Sequence, residues 1–245
     1  TPAPALDEAG IPWVHLLPPQ PRPHNSVSVD DEAIGRMGAE YYLRIGFRKF
    51  AFCGVDTSWS RLRGNGFEAF LAERQLACQR IALPFDAGSG WTLKAGGDHP
   101  LRRWLSRLDR VTAVMAAHDT LANRMVDLCR QEHVRVPDDL AVLGVGNHAL
   151  LCQLSPVPIS SIDCAVSEVA RRGATMLDNM LADQQRAKPP SSTVAPLGVA
   201  ERRSTALLGF ENDLINRIVG YIHEHACSGL MARDLAQAFP ISQRT

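Results

Sequence analysis

The chain has 245 residues, 45% of them apolar, with 26 basic and 26 acidic side chains. That length and apolar content can bury a core and make one large domain, or one domain plus a smaller unit; a disordered polymer and a small disulfide-stapled scaffold are excluded. The formal charge balance is zero, so no global field attracts a polyanion, and any nucleic-acid surface must be local. From the start of the chain, short β-rich runs predict strands at Ile11 to Leu16, Val27 to Val29, Phe50 to Cys53, Gln79 to Leu83, Thr112 to Ala116, Leu140 to Val145 and Ile159 to Ile162. Helical patterns lie between them, and this alternation predicts parallel βαβ units, an α/β fold.

The first such helix is marked by Ile34, Met37, Gly38, Tyr41 and Ile45, with Gly46 as its stop. Phe67, Phe70 and Leu71 mark a second, and Leu121, Ala122, Met125, Val126 and Cys129 a third, ended near Pro137. A long amphipathic stripe runs from Val166 to Met180. Such stripes face a core and carry no further meaning here. A polar loop from Asp183 to Thr193 leads to a last strand around Val194 to Val199. After Thr205 the pattern becomes helical only. Leu214, Ile215, Ile218, Val219 and Ile222 form one face, Leu230 to Phe239 a short second helix broken by Pro240, and Ser242 the N-cap of a third. Helix, turn, helix outlines a helix-turn-helix, so the expected domains are residues 1–206 and 207–245.

Cysteines at 53, 78, 129, 152, 164 and 227 fall mostly in apolar runs and never as Cys-x-x-Cys. This reads as buried thiols in a reducing compartment, with neither disulfides nor a metal site. Thr1 to Gly10 has no cationic start or apolar centre of an export signal, and no apolar run reaches the about 20 residues of a membrane span. The expectation is a cytoplasmic protein. The chain has no initiating Met and stops three residues after Ser242, so a fragment at both ends is also expected.

In an open parallel sheet, ligands bind beyond the carboxyl ends of the strands. Four groups of polar residues follow predicted strands: Asp30; Trp59, Ser60, Arg61 and Arg63; His118 and Asp119; and Asn147 and His148. Carboxylates that accept hydroxyls, a guanidinium fork and an aromatic ring suit a neutral polyol better than a phosphate. Asp30 and Asp119 can equally be helix caps. Trp91, in a Gly-rich loop, can stack on a ligand or pack on its own domain.

Gly144-Val145-Gly146-Asn147-His148-Ala149 formally fits a dinucleotide fingerprint. Pro156 and Pro158 follow too soon for the helix whose N-terminus must meet a pyrophosphate. The chain has no Gly-x-Ser-x-Gly elbow, His-Glu-x-x-His motif or phosphate loop. A non-enzyme without cofactor is the expectation.

Ser60-Arg61-Leu62-Arg63-Gly64-Asn65-Gly66-Phe67, Ala117-His118-Asp119, and Val136-Pro137-Asp138-Asp139-Leu140 through Val145 resemble the sugar-sensing core of the lactose-repressor family. The stretch Val199 to Thr205 followed by Tyr221 to Gly229 resembles the xylose operon regulators, which join such a sensor to a C-terminal arabinose-regulator-type helix-turn-helix domain. The resemblance covers nearly the whole chain. It implies a two-lobed periplasmic-binding-protein-like fold that begins here inside the first lobe, with three crossovers between lobes. It further implies a homodimer that senses a sugar, a pentose favoured, and binds operator DNA; a transport-type sugar-binding protein is the alternative.

Carried over by motif, the ligand contacts are Asp30, Arg61 as the arginine of the Ser-x-x-Arg-x-x-Gly-Phe-like stretch, Trp91 and Asp119; Asn147, which follows the Leu140 to Val145 strand, is a further candidate. The family usually has an aspartate where Gly146 stands, so one hydroxyl acceptor is lost or replaced. Ser242, Gln243 and Arg244 resemble the opening of the recognition helix.

Overall fold

The computed structural model describes residues 3–17, 24–86, 92–93, 98–182, 190–206, 213–225 and 229–239. In chain order the elements are α1 (Ala3–Glu8), β1 (His15–Leu16), β2 (Ser26–Val29), α2 (Asp31–Arg44), β3 (Lys49–Val55), α3 (Ser58–Ala72), β4 (Cys78–Leu83), β5 (Phe85–Asp86), β6 (Thr92–Leu93) and α4 (Asp98–Leu105). They continue with β7 (Thr112–Ala116), α5 (Asp119–Gln131), β8 (Leu140–Val145), α6 (Ala149–Leu154), β9 (Ser160–Asp163), α7 (Val166–Ala182), β10 (Ser192–Val194), β11 (Gly198–Ala200), a 3-10 turn at Arg203–Thr205, α8 (Asp213–His225) and α9 (Ala232–Ala238).

Two separate parallel sheets make two lobes. The small one has the order β1-β2-β10 and the large one β11-β9-β8-β7-β3-β4, in which only β11 is antiparallel to its neighbour. The expected α/β architecture with parallel sheets is therefore present. Strand β8 is apolar throughout, and β7 and β3 are apolar after their first residues, because both faces are covered. Along β3, Phe50 and Phe52 face a core shared with Phe67, Leu71, Tyr42 and Met115, while Ala51, Cys53 and Val55 face another shared with Leu121, Met125 and Leu128.

Helices α2 and α3 pack on the first of these faces with their backbones in contact. A Cβ on Gly35 would lie 1.9 Å from the carbonyl oxygen of Arg63, and one on Gly66 would lie 2.1 Å from that of Glu32. Each glycine makes room for the other helix's backbone, so neither tolerates a side chain. This crossing fixes the start of α2 against the second and third turns of α3.

The chain passes between the lobes three times: after Val29, after Asp163 and between Val194 and Gly198. The single last strand expected at Val194 to Val199 is corrected by this third passage. Ser192–Val194 belongs to the small sheet and Gly198–Ala200 to the large one. Pro196, which has no N–H to give a ladder, sits in the connection. Three short helices, α1, α4 and α6, lie outside the helices expected from the sequence. Each gives only about two turns of periodicity, too little to separate from a loop.

Five described cysteines are free thiols, four of them buried. Burial pushes Cys78, Cys129 and Cys152 up to about 12 and Cys164 to about 11, so all stay protonated. In the tail, α8 and α9 pack through Tyr221 and Phe239, whose rings meet edge-on at 5.5 Å. The guanidinium of Arg217 covers the other ring at 5.6 Å. The expected second tail helix thus runs from Ala232 to Ala238, while Ser242, Gln243 and Arg244 lie outside the described residues. No helix among the described residues is long and apolar enough to cross a membrane.

Candidate functional site

Helix α3, which follows β3, lies on one face of the large sheet, and α5, which follows β7, lies on the other. The strands β3 and β7 are neighbours. Their carboxyl ends are therefore the topological switch point, where diverging helices leave a crevice. The first crossing between lobes, at Asp30, reaches the same place.

The residues there are held by local structure. Thr57 caps α3, and the Ser60 hydroxyl accepts from Val55 N at 2.9 Å, which fixes the turn out of β3. Arg63, four residues after Trp59, lays its guanidinium over the indole at 4.8 Å. Its Nε donates to Asp31 at 2.9 Å and its Nη1 to the carbonyl of Ala117 at 2.6 Å. The pair is buried, with the two side chains 11% and 9% exposed. Nη2 makes no hydrogen bond among the described residues.

His118 follows β7 and caps α5, its Nδ1 accepting from Leu121 N at 3.2 Å. Its ring meets Trp59 edge-on at 5.8 Å. Burial, helped by the Arg63 charge, holds the imidazole down at about 4, so it is neutral near pH 7. With Nδ1 acting as acceptor, the ring proton sits on Nε2, which is a donor.

At the ends of β8 and β9 the polar groups satisfy one another. Asp119, buried, accepts from the Ser161 hydroxyl at 2.6 Å and from His148 N at 2.8 Å. A Cβ on Gly144 would lie 2.3 Å from this carboxylate, so only glycine admits it. Gly146 has φ +125°, and a Cβ there would be 3.2 Å from the second carboxylate oxygen. Asn147, at φ 52°, donates from its amide to Asp163 at 3.1 Å and accepts from Arg202 at 2.8 Å. Asn is one of the few residues that adopts this backbone conformation readily.

The expected contacts are thus placed unequally. Asp30, half-buried at the first crossing, caps α2 by accepting from Ala33 N at 2.9 Å. Asp119 and Asn147 stand at the rim with their hydrogen-bonding capacity engaged by the protein. Trp91 lies outside the described residues.

Arg61 is exposed and pairs with Asp56 at 3.4 Å, while Arg63 is buried against Asp31. Residues two apart on a helix are about 200° apart around its axis, so both cannot face the crevice. The signal was available, because Ser-x-x-Arg-x-x-Gly-Phe is satisfied by Ser60, Arg63, Gly66 and Phe67, all of which the fold uses. Asp31 had no signal of its own beside the capping Asp30. Trp59 and His118 were legible only as residues that follow strands.

Two parallel-sheet lobes joined by three crossings, with polar residues converging at the switch point, define a two-lobed α/β domain of the kind built around a crevice. The chain belongs to the periplasmic binding protein-like domain family, whose pattern matches residues 39–205. The Xylose operon regulatory protein of Escherichia coli (strain K12) is 26% identical over 249 residues, 98% of this chain and 62% of that protein. The structure of the xylose-binding transcription activator xylR superimposes with a TM-score of 0.74 at 24% identity, over 98% of this chain and 64% of that one. A complex of the transcriptional regulator CelR with cellobiose gives 0.68 at 23% identity, over 83% and 62%. These structural likenesses are of fold. The chain spans less than two thirds of the length of each of these proteins.

Proposed function

We propose that this chain is the sensor portion, with the start of the DNA-binding portion, of a cytoplasmic, homodimeric transcription regulator that answers to a sugar, a pentose favoured. The observation that carries this reading is the corner at β3 and β7. There a guanidinium fixed on two sides, an indole and an imidazole converge, and the Asp31 carboxylate that holds the guanidinium directly follows the first crossing between lobes. Such a set donates to and accepts from hydroxyls and covers a C–H face, which suits the holding of a neutral polyol. Sugar held across the crevice favours the closed arrangement of the lobes, and closure repositions the helices that follow residue 206 for operator DNA. The similarity to a xylose operon regulator along 98% of the chain supports this over a transport role.

Titration of the purified protein with pentoses and hexoses tests the reading through tryptophan fluorescence and melting temperature. Xylose or a close pentose is expected to shift both. Replacing Arg63 by Ala removes charge-assisted donors and should weaken binding by about 1.5 to 3 kcal/mol. A panel that shifts neither observable sinks the proposal.

A further inference from the structure

Arg202 lies between β11 and the tail, in the segment through which any signal to the C-terminal helices must pass. Its backbone N–H donates to the Ser160 hydroxyl at 2.7 Å and its Nη1 to the carbonyl of Ile159 at 2.9 Å. The next residues are plugged into the large lobe. Ser204 donates to the carbonyl of Val142 at 2.6 Å and accepts from Ser160 N at 2.8 Å, and Thr205 Oγ1 meets the Tyr41 hydroxyl at 2.7 Å. The other arm of Arg202, Nη2, reaches Asn147 Oδ1 at 2.8 Å. Asn147 in turn donates to Asp163 Oδ2 at 3.1 Å.

Asp163 stands at the second crossing between lobes and holds the third. Its Oδ1 accepts from Ala165 N at 2.8 Å, and its carbonyl accepts from Leu197 N at 3.0 Å. Ala165 has φ 54°, in a region that alanine adopts rarely, so the hinge backbone is already strained at that point. A continuous line of hydrogen bonds therefore runs from two of the three crossings, through Asn147 at the crevice rim, to the exit segment. Hinge torsions must change when two lobes close, and the Asp163 carboxylate moves with them.

Resting on the sugar-sensor reading for its trigger, we infer that Asp163, Asn147 and Arg202 form a relay that couples the hinge to the segment entering the tail helices. Arg202 is a positioning residue in that relay and touches no ligand. The planar fork of arginine is required, since it must bond Ile159 O and Asn147 Oδ1 at once, which a single ammonium does not do in the same geometry.

Amide hydrogen exchange of residues 199–205 tests this without any ligand. Asn147→Ala and Arg202→Ala should each accelerate exchange there by about tenfold, and the double variant no more than the faster single one. Multiplying effects, or an Asn147→Ala without effect on 199–205, would overturn the relay. Arg202→Lys, the milder change, should fall between wild type and Arg202→Ala.

Xylose then supplies the trigger. It should alter exchange at 199–205 in the wild type, and in Arg202→Ala it should bind within about threefold of the wild-type affinity while that alteration shrinks at least about fivefold. A full alteration in Arg202→Ala rejects the relay, as it would if Arg202 were only a structural brace. If no sugar binds the wild type, the sensor reading falls, and the unliganded comparison still decides the coupling.

Discussion

At the carboxyl ends of β3 and β7, Arg63, Trp59 and His118 are each fixed from behind. Asp31 and Ala117 hold the guanidinium, and the first turn of α5 holds the imidazole, while Nη2 of the arginine makes no hydrogen bond among the described residues. At the ends of β8 and β9, a few ångströms of sheet away, Asp119, Asn147, Ser161 and Asp163 bond to each other and to Arg202. Both corners are rich in charge and burial. One anchors a guanidinium and offers its second terminal nitrogen; the other has its polar atoms closed into a network. Partner geometry, more than residue type, separates a binding corner from a bracing one.

The largest expected effect attacks what both corners depend on. Gly35→Ala puts a methyl group against the Arg63 backbone and should destabilise the fold by more than about 3 kcal/mol in urea unfolding, because a backbone cannot rotate away. A loss under about 1 kcal/mol would show that α2 and α3 separate freely.

Next comes the buried pair. Asp31→Ala should lose about 3 kcal/mol by leaving Arg63 charged and unpaired, whereas Asp31→Leu combined with Arg63→Met should regain most of it and still fail to bind sugar. If the double replacement binds normally, the offered corner is not where the ligand sits.

Protonation sharpens the contrast further. His118 is held at about 4 in the folded chain against about 6.5 when unfolded. The unfolded state binds more protons between these values, so stability from this group is complete above pH 6.5 and is lost as pH falls toward 4. Between pH 7 and pH 5 the wild type should lose about 2 kcal/mol more than His118→Asn, read from chemical denaturation at both values. Equal losses would place the imidazole in water.

For the bracing corner, Asp119→Ala should cost about 2 kcal/mol by stranding the Ser161 hydroxyl and the His148 N–H, with a smaller effect on sugar affinity than Arg63→Ala. The smallest effect belongs to Arg61→Ala. Its exposed pair with Asp56 should be worth less than about 0.5 kcal/mol, and sugar affinity should not change. A clear loss of affinity would restore Arg61 to the crevice.

The difference between the corners also marks what could be read from the sequence. β7 and β8 were legible to the residue, because strands buried on both faces are unbroken apolar runs bounded by polar residues. The position of the crevice was legible for the same reason: polar residues that follow such runs must lie at the sheet's carboxyl edge. Which of them point inward was not. Arg61 and Arg63 differ only in helical phase, and the phase is set by the contact of Gly35 and Gly66 between two helices distant in sequence. The closed network was equally hidden, since Asp119, Asn147 and Arg202 are brought together by strand order alone. The break between β10 and β11 looked like one strand because Val194 and Val199 flank a connection of only three residues.

Gly146 has a consequence for which side chains this rim can carry. Its φ of +125° and the Asp119 carboxylate 3.2 Å from a built Cβ oppose an aspartate there on two counts, backbone strain and the meeting of two negative charges. A single Gly146→Asp substitution is therefore opposed by the structure around it. The loop and Asp119 would have to change together for an aspartate to stand there.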